Sequence, residues 1–186
     1  MKVRDEQIKI DYLATLGLLG VNNSLAYRTH EIERHFHSYE RWLEAAAAAS
    51  GETHVADVLG AGAGAFQLDA GNDDWGAWVQ ILGSSDTPVI TGSAKFDLHR
   101  IEVETEERTG TYFLQFGFGA TGAAALTAGD YTEAVYTGPA GAQTGGPIVV
   151  QSRRITKGVK AWARAKCPGQ NTGTIDFYLG LHEYEG

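Results

Sequence analysis

The chain has 186 residues, of which 43% are hydrophobic and 20% charged, a composition typical of globular proteins that excludes a disordered chain. The net charge is −8, and residues 51–130 carry three Lys or Arg against twelve Asp or Glu, which argues against a nucleic-acid surface there. A single cysteine excludes an intrachain disulfide and a four-cysteine zinc site.

Residues 1–50 are predicted to form a helical arm, because they contain no proline and end in an alanine-rich stretch before Ser50-Gly51. Asn22, Asn23 and Ser24 are candidate N-caps for a long helix that runs to residue 49. A shorter helix is predicted over residues 5–16. The longest apolar patch, residues 13–21, is too short to span a bilayer, so no membrane partner is expected.

The long predicted helix carries an apolar seam. Its members follow one another at intervals of 7, 4, 3 and 4 residues, which is heptad spacing: Leu25, Ile32, Phe36, Tyr39 and Leu43. Such a seam is typical of a helix that self-associates or docks on a partner. It is equally typical of a helix that packs one stripe onto its own domain.

Residues 51–186 are predicted to form a second, β-rich domain, since short apolar runs with a period of two alternate with glycine-rich turns. The stretch TIDFYLGLHEY places Ile175, Phe177, Leu179 and Leu181 on one side of a strand. The pattern predicts an antiparallel β-sandwich or jelly roll. Its candidate strands are residues 54–59, 65–69, 75–82, 95–106, 111–118, 131–136, 148–155, 159–166 and 174–183.

The stretch THEIERHFHSYERW begins like the zinc-protease signature H-E-x-x-H, but the spacing fails. Arg34 stands where the second histidine is required, and His30 and His35 are about 140° apart around a helix. We therefore interpret this stretch as a polar helix face. A hydrolase built on His30, Glu33 and His37 is kept as a third alternative.

The loop DAGNDDWG offers one candidate Ca²⁺ site, formed by Asp69, Asp73 and Asp74. It lacks the spacing of an EF-hand, and a tight acidic turn is the favoured interpretation.

Trp75 and Trp78 are three residues apart, so in a strand they are expected to face opposite sides. One of them could serve as a sugar-binding platform, although core packing or a subunit contact is favoured.

Complete catalytic motifs are not found in the sequence. GFGATG, residues 117–122, spells G-x-G-x-x-G, but no long helix follows it, and residues 117–130 are predicted to be a loop. We therefore expect no catalytic residues, no metal site beyond the Ca²⁺ candidate, no cofactor and no enzymatic activity.

Three phrases carry a resemblance: HFHSYERWLEA, SGETHVAD and KAWARAKCPGQNTGTIDFYLGLHEYEG. They resemble phage and prophage structural proteins that combine an N-terminal helical segment with a C-terminal β-sandwich. The resemblance implies a capsid decoration (cement) protein, made in the host cytoplasm and located on the capsid surface of the virion. Its implied partners are further copies of itself, as a homotrimer, and the major capsid protein or other virion proteins.

A different class of protein remains the main alternative. In it the β-domain is a carbohydrate-binding or adhesin-like module of a tail or fibre, with Trp75 or Trp78 on the ligand surface and Ca²⁺ as a possible ion.

Overall fold

The computed structural model describes residues 40–46, 57–58, 64–83, 94–138, 147–169 and 173–184. They belong to one unit, Glu40–Gly186, and are mainly β, as predicted. The described elements are β1 (Glu40–Glu44), β2 (Asp57–Val58), β3 (Phe66–Gly71), β4 (Val79–Leu82), β5 (Lys95–Glu106), β6 (Gly110–Phe118), α1 (Gly122–Ala128), β7 (Tyr131–Gly138), β8 (Ile148–Val149), β9 (Ile155–Thr156), β10 (Ala161–Lys166) and β11 (Gly173–Tyr184).

Strand β11 is the centre of the sheet. One of its edges pairs with β5 from Ile175 to Tyr184, and the other pairs first with β3 and then with β1, all antiparallel. The side chains predicted to share one side of β11 are all fully buried: Ile175, Phe177, Leu179 and Leu181. The two-residue period of the sequence therefore identified the core face of this strand.

Strand β3 joins two parts of a curled, mixed sheet. One part contains β11 with its partners β1 and β5, and the other contains β10 with its partners β4 and β6. Ala70 of β3 pairs with Gly173 of β11 on one side and with Ala165 of β10 on the other. The β3–β10 pairing is parallel, whereas an antiparallel sheet was predicted, and β10 also pairs antiparallel with β4 and β6. Phe116 of β6 and Phe177 of β11 meet edge to face with ring centroids 6.1 Å apart, so the core lies between these parts.

The predicted helix to residue 49 is wrong for Glu40–Glu44, which is strand β1. Leu43, which was placed on the helical seam, pairs with Leu179 and is fully buried in the core. Pairing with β11 gives the backbone hydrogen-bond partners and buries Leu43, which overrides the local preference for helix. The other predicted seam residues, Leu25, Ile32, Phe36 and Tyr39, lie outside the described residues, as does the helix predicted over residues 5–16.

Two β-bulges interrupt the pairing of β5 with β11, and they change which side of β5 faces the core. Phe96 and Leu98 are buried before the first bulge, whereas Ile101 and Val103 are buried after it. His99 is the extra residue at this bulge, because its neighbours Leu98 and Arg100 pair with consecutive residues of β11. Buried and exposed residues therefore do not alternate strictly over the whole of residues 95–106.

The loop predicted over residues 117–130 contains the short helix α1. Thr121 caps its start by accepting a hydrogen bond from the N–H of Ala124 at 3.1 Å. Gly129 ends it with a φ of 68°, a left-handed conformation that glycine adopts without strain. Within the described parts of the chain, no helix is long and apolar enough to cross a membrane.

Candidate functional site

Strand β10 exposes a row of polar and aromatic side chains on the side opposite the core. Ala161, Ala163 and Ala165 are fully buried, so the intervening residues Trp162, Arg164 and Lys166 lie on the outer side. Small core-facing alanines let this strand approach the neighbouring part of the sheet closely. The outer residues therefore stand on a strand that pairs with β3, β4 and β6.

Arg164 brings together the two tryptophans that were expected to face opposite sides. Its guanidinium carbon lies 4.8 Å from the ring centroid of Trp75 and 4.3 Å from that of Trp78. The expectation failed because residues 75–78 are not a strand; β4 begins only at Val79. Cation–π attraction stabilises this arrangement, since the negative face of each ring meets the positive charge.

The indole of Trp78 is also packed against helix α1. A Cβ atom on Gly122 would come within 2.2 Å of Trp78 Cδ2, and one on Gly117 would lie 3.3 Å from Trp78 Cη2. Trp78 is therefore fixed by two glycines as well as by Arg164. A sugar that stacked on this ring would have to displace one of these neighbours.

Arg164 continues into a chain of hydrogen bonds across three strands. Its Nε donates to Gln115 Oε1 at 2.8 Å, and Gln115 Nε2 donates to Glu133 Oε1 at 2.8 Å. Burial lowers the pKa of Arg164, and the negative charge of Glu133 opposes this effect. The chain fixes the amide orientation of Gln115 and aligns β10, β6 and β7.

Large apolar side chains extend the same side of the sheet to its edge. Phe113 of β6 and Val135 of β7 are register partners and are 36% and 54% exposed, and Tyr131 of β7 is 41% exposed. Lys166 Nζ lies 5.4 Å from the Phe113 ring centroid. We call the whole surface the aromatic–cationic face, formed by Trp75, Trp78, Phe113, Tyr131, Val135, Arg164 and Lys166.

The acidic loop forms a tight turn, as the favoured interpretation proposed. Asp73 has a φ of 58°, and its Oδ1 accepts a hydrogen bond from the N–H of Gly169 at 3.0 Å. Gly71 and Gly76 lie so close to backbone carbonyls that a Cβ atom on either would clash. Asp69, Asp73 and Asp74 are not among the described residues whose ligand atoms converge, so the Ca²⁺ candidate stays a prediction.

A second polar group lies on β5 and β11. Asp97, His99 and His182 each offer one ligand atom, and these atoms all lie within 4.8 Å of one another. Asp97 and His182 are buried, and the rings of His99 and His182 stack with centroids 3.9 Å apart. The sequence analysis did not predict this group. The i, i+2 spacing of Asp97 and His99 in D-L-H does indicate that both side chains lie on one face of a strand.

Tyr184 fixes the carboxylate of this group. Its hydroxyl donates to Asp97 Oδ2 at 2.5 Å, and the guanidinium of Arg154 lies 4.2 Å from the centroid of its ring. Burial raises the pKa of Tyr184, and the hydrogen bond to Asp97 raises it further, so the hydroxyl keeps its proton and remains a donor. The orientation of Asp97 is thus set by a neighbouring side chain.

Comparison with known protein families, with curated proteins and with solved structures gives no match. The resemblance to phage structural proteins therefore stays a prediction. His30, Glu33 and His37, the residues of the hydrolase alternative, lie outside the described residues.

Proposed function

We propose that the chain is a non-enzymatic structural protein of a phage particle, a decoration protein that binds and stabilises the head lattice as an oligomer. The observation that supports this most is the aromatic–cationic face, with Phe113 and Val135 exposed side by side at the edge of the sheet. The resemblance of three sequence phrases to phage structural proteins directs the proposal to a virion.

The composition of this face suits contact with another protein. Aromatic residues and arginine are enriched at protein interfaces and provide most of their binding energy. Arg164 is already held by two tryptophans and by Gln115, so little side-chain entropy is lost when a partner covers it. Preorganisation of this kind favours a permanent structural contact.

The edge of the sheet is the second argument for a protein partner. Among the described strands, β7 pairs only with β6, so its other edge faces away from the sheet. An edge strand with exposed apolar residues is a liability in a monomer unless something covers it. We propose that the major capsid protein covers β7 and the side chains of Tyr131 and Val135.

We further propose that the curled sheet is a β-sandwich of the jelly-roll type. The contact between Phe116 and Phe177 supports this, because the two residues lie on strands that do not pair and yet meet in the core. The predicted seam of Leu25, Ile32, Phe36 and Tyr39 would then hold the copies together as a homotrimer, without Leu43.

The carbohydrate-binding alternative receives less support. Trp78 contacts both Arg164 and Gly122, and the ring centroid of Trp75 lies 5.1 Å from Lys166 Nζ and 4.8 Å from the Arg164 guanidinium carbon. Both rings thus already have cations on them. A glycan array on the purified chain tests this alternative, and specific binding that Trp75→Ala abolishes would favour it over the decoration role.

The test of the decoration role compares particles from cells that encode the chain with particles from cells that lack the gene. We expect mass spectrometry to find the chain in purified particles, and particles without it to release DNA at a lower temperature. A chain that stays in the soluble fraction, with particles of unchanged stability, would contradict the proposal.

A matched pair of variants tests the contact surface. Val135→Lys places a charge at the centre of the proposed contact, so we expect it to reduce occupancy on the particle. Val149→Lys changes a valine of similar exposure, 58%, on strand β8, and we expect it to leave occupancy unchanged. If Val135→Lys occupies the particle as fully as the unmodified chain does, the aromatic–cationic face is not the contact surface.

A further inference from the structure

We propose that Asp97, His99 and His182 bind one divalent transition-metal ion, with Zn²⁺ the favoured ion, at the junction of β5 and β11. Two imidazole nitrogens and one carboxylate oxygen are a ligand set that holds Zn²⁺ and related ions in proteins. Three protein ligands leave a fourth position for water. The proposal is independent of the decoration role.

The register of the sheet brings these residues together. Asp97 pairs with His182, so the two side chains project from the same side of neighbouring strands. His99 is the extra residue of the β-bulge, and its carbonyl accepts a hydrogen bond from Val150 N–H at 2.9 Å and a longer one from Gln151 N–H at 3.3 Å. The bulge thus has an anchored backbone and directs a third side chain to the group.

The distance between Asp97 and His182 fits an ion of this size. His182 Nδ1 lies 3.5 Å from Asp97 Oδ1, and ligands about 2.0–2.2 Å from a tetrahedral ion are themselves roughly 3.4 Å apart. The ligand atoms of all three residues lie within 4.8 Å of one another, a wider spread than a tetrahedral ion needs, so binding requires the His99 ring to shift from its stack on His182. The exposed side of His99 also gives the ion a path from solvent.

The environment of Asp97 points to a missing ligand. Asp97 is buried, and its Oδ1 accepts no hydrogen bond from the described residues; its recorded contact is with His182 Nδ1 at 3.5 Å, which is an ion pair only when that imidazole is protonated. The other oxygen of Asp97 accepts from Tyr184, which leaves Oδ1 as a single, oriented metal ligand. A hydrogen bond of this kind, from outside the ligand set, is usual in protein metal sites. A cation at this position would satisfy a carboxylate oxygen whose burial is otherwise costly.

The experiment uses the full chain, stripped of metal with a chelator and then titrated with Zn²⁺ in a calorimeter. We expect one ion per chain and a melting temperature that rises by several degrees in excess Zn²⁺, because the ion binds the folded state. Co²⁺ gives an independent readout, since a four-coordinate cobalt ion has strong visible absorption bands.

Three variants locate the ion. We expect His99→Gln and Asp97→Asn to weaken binding about tenfold or more; Asp97→Asn also keeps an acceptor for Tyr184. His54→Gln, which removes a histidine that belongs to none of the candidate sites, is the control and should bind as the unmodified chain does. If Asp97→Asn does not fold, the half-exposed His99→Gln decides alone. Absence of Zn²⁺ binding to the stripped chain, or equal affinity in His99→Gln, would overturn the proposal.

Discussion

Gly122 lies directly against the indole ring of Trp78, so closely that a Cβ atom on Gly122 would come within 2.2 Å of Trp78 Cδ2. This contact attaches helix α1 to the side of the sheet that carries Arg164. It also explains why a glycine stands at the first position of a helix, where alanine has the better intrinsic propensity.

The first prediction concerns this contact. Gly122→Ala is expected to lower the free energy of unfolding by about 1–3 kcal/mol, because the added methyl group must displace the Trp78 ring. Gly119→Ala is the control, since a Cβ atom there would meet only ordinary contacts at 3.7 Å or more. Denaturant unfolding followed by tryptophan fluorescence measures both. A neutral or stabilising Gly122→Ala would show that Trp78 does not occupy this position.

The second prediction separates a core role of Leu43 from a role in self-association. Leu43→Ala should cost about 2–5 kcal/mol of unfolding free energy, because Leu43 is fully buried beside Leu179. The loss should not depend on protein concentration. Leu126→Ala, at an exposed position of α1, should change stability by less than about 0.5 kcal/mol. If the loss of unfolding free energy in Leu43→Ala depends on protein concentration, Leu43 contributes to self-association.

Alternation of apolar and polar residues predicted much of the sheet. The predicted limits of β5 agree with the structure, and those of β6, β10 and β11 differ by at most two residues at each end. In β10 and along most of β11, buried and less buried residues alternate, so burial follows the sequence period; β5 was placed correctly although its bulges change the side that faces the core. Such local patterns predict an element well when its neighbours do not change its register.

Long-range contacts decided the features that were missed. The sequence of β1 reads locally as helix, and only pairing with β11 makes it a strand. The bulge at His99 reverses the core side of β5, so alternation alone could not show which face carries Asp97. Arg164 unites Trp75 and Trp78 from a strand distant in sequence. No local spacing reports such contacts.

The third prediction follows from a buried carboxylate at the end of β5. Burial raises the pKa of Glu106 above its usual value of 4.5, and the hydrogen bond from Tyr136 lowers it less than burial raises it. Between 4.5 and the raised pKa, the folded state binds more protons than the unfolded state. The stability that Glu106 contributes is therefore fully present below that window and is lost as the pH rises through it.

Glu106→Gln removes this titration, so the free energy of unfolding should fall less between pH 4 and pH 8 than in the unmodified chain. Tyr136→Phe is the companion variant. It removes the hydrogen bond that lowers the pKa of Glu106, so the decline should extend to higher pH. Urea unfolding at a series of pH values measures both. An unchanged pH profile in Glu106→Gln would refute this assignment.

The fourth prediction concerns Ser152, which satisfies a buried backbone donor on β5. Its Oγ accepts a hydrogen bond from the N–H of Leu98 at 2.8 Å. Ser152→Ala leaves that N–H without an acceptor and should cost about 1–3 kcal/mol. Thr111→Ala breaks an exposed hydroxyl pair with Thr137 and should cost less than about 0.5 kcal/mol. If Ser152→Ala lowers the free energy of unfolding as little as Thr111→Ala does, water must replace the Ser152 hydroxyl as the acceptor for Leu98 N–H.

The central position of β11 determines when the sheet can be completed during synthesis. β11 is made after all the other described strands, yet β1, β3 and β5 each pair with it. Until residue 184 has left the ribosome, these three strands expose unpaired edges and apolar side chains that can aggregate. Because its defining contacts span most of the chain, we expect the domain to fold slowly and only after translation has passed β11.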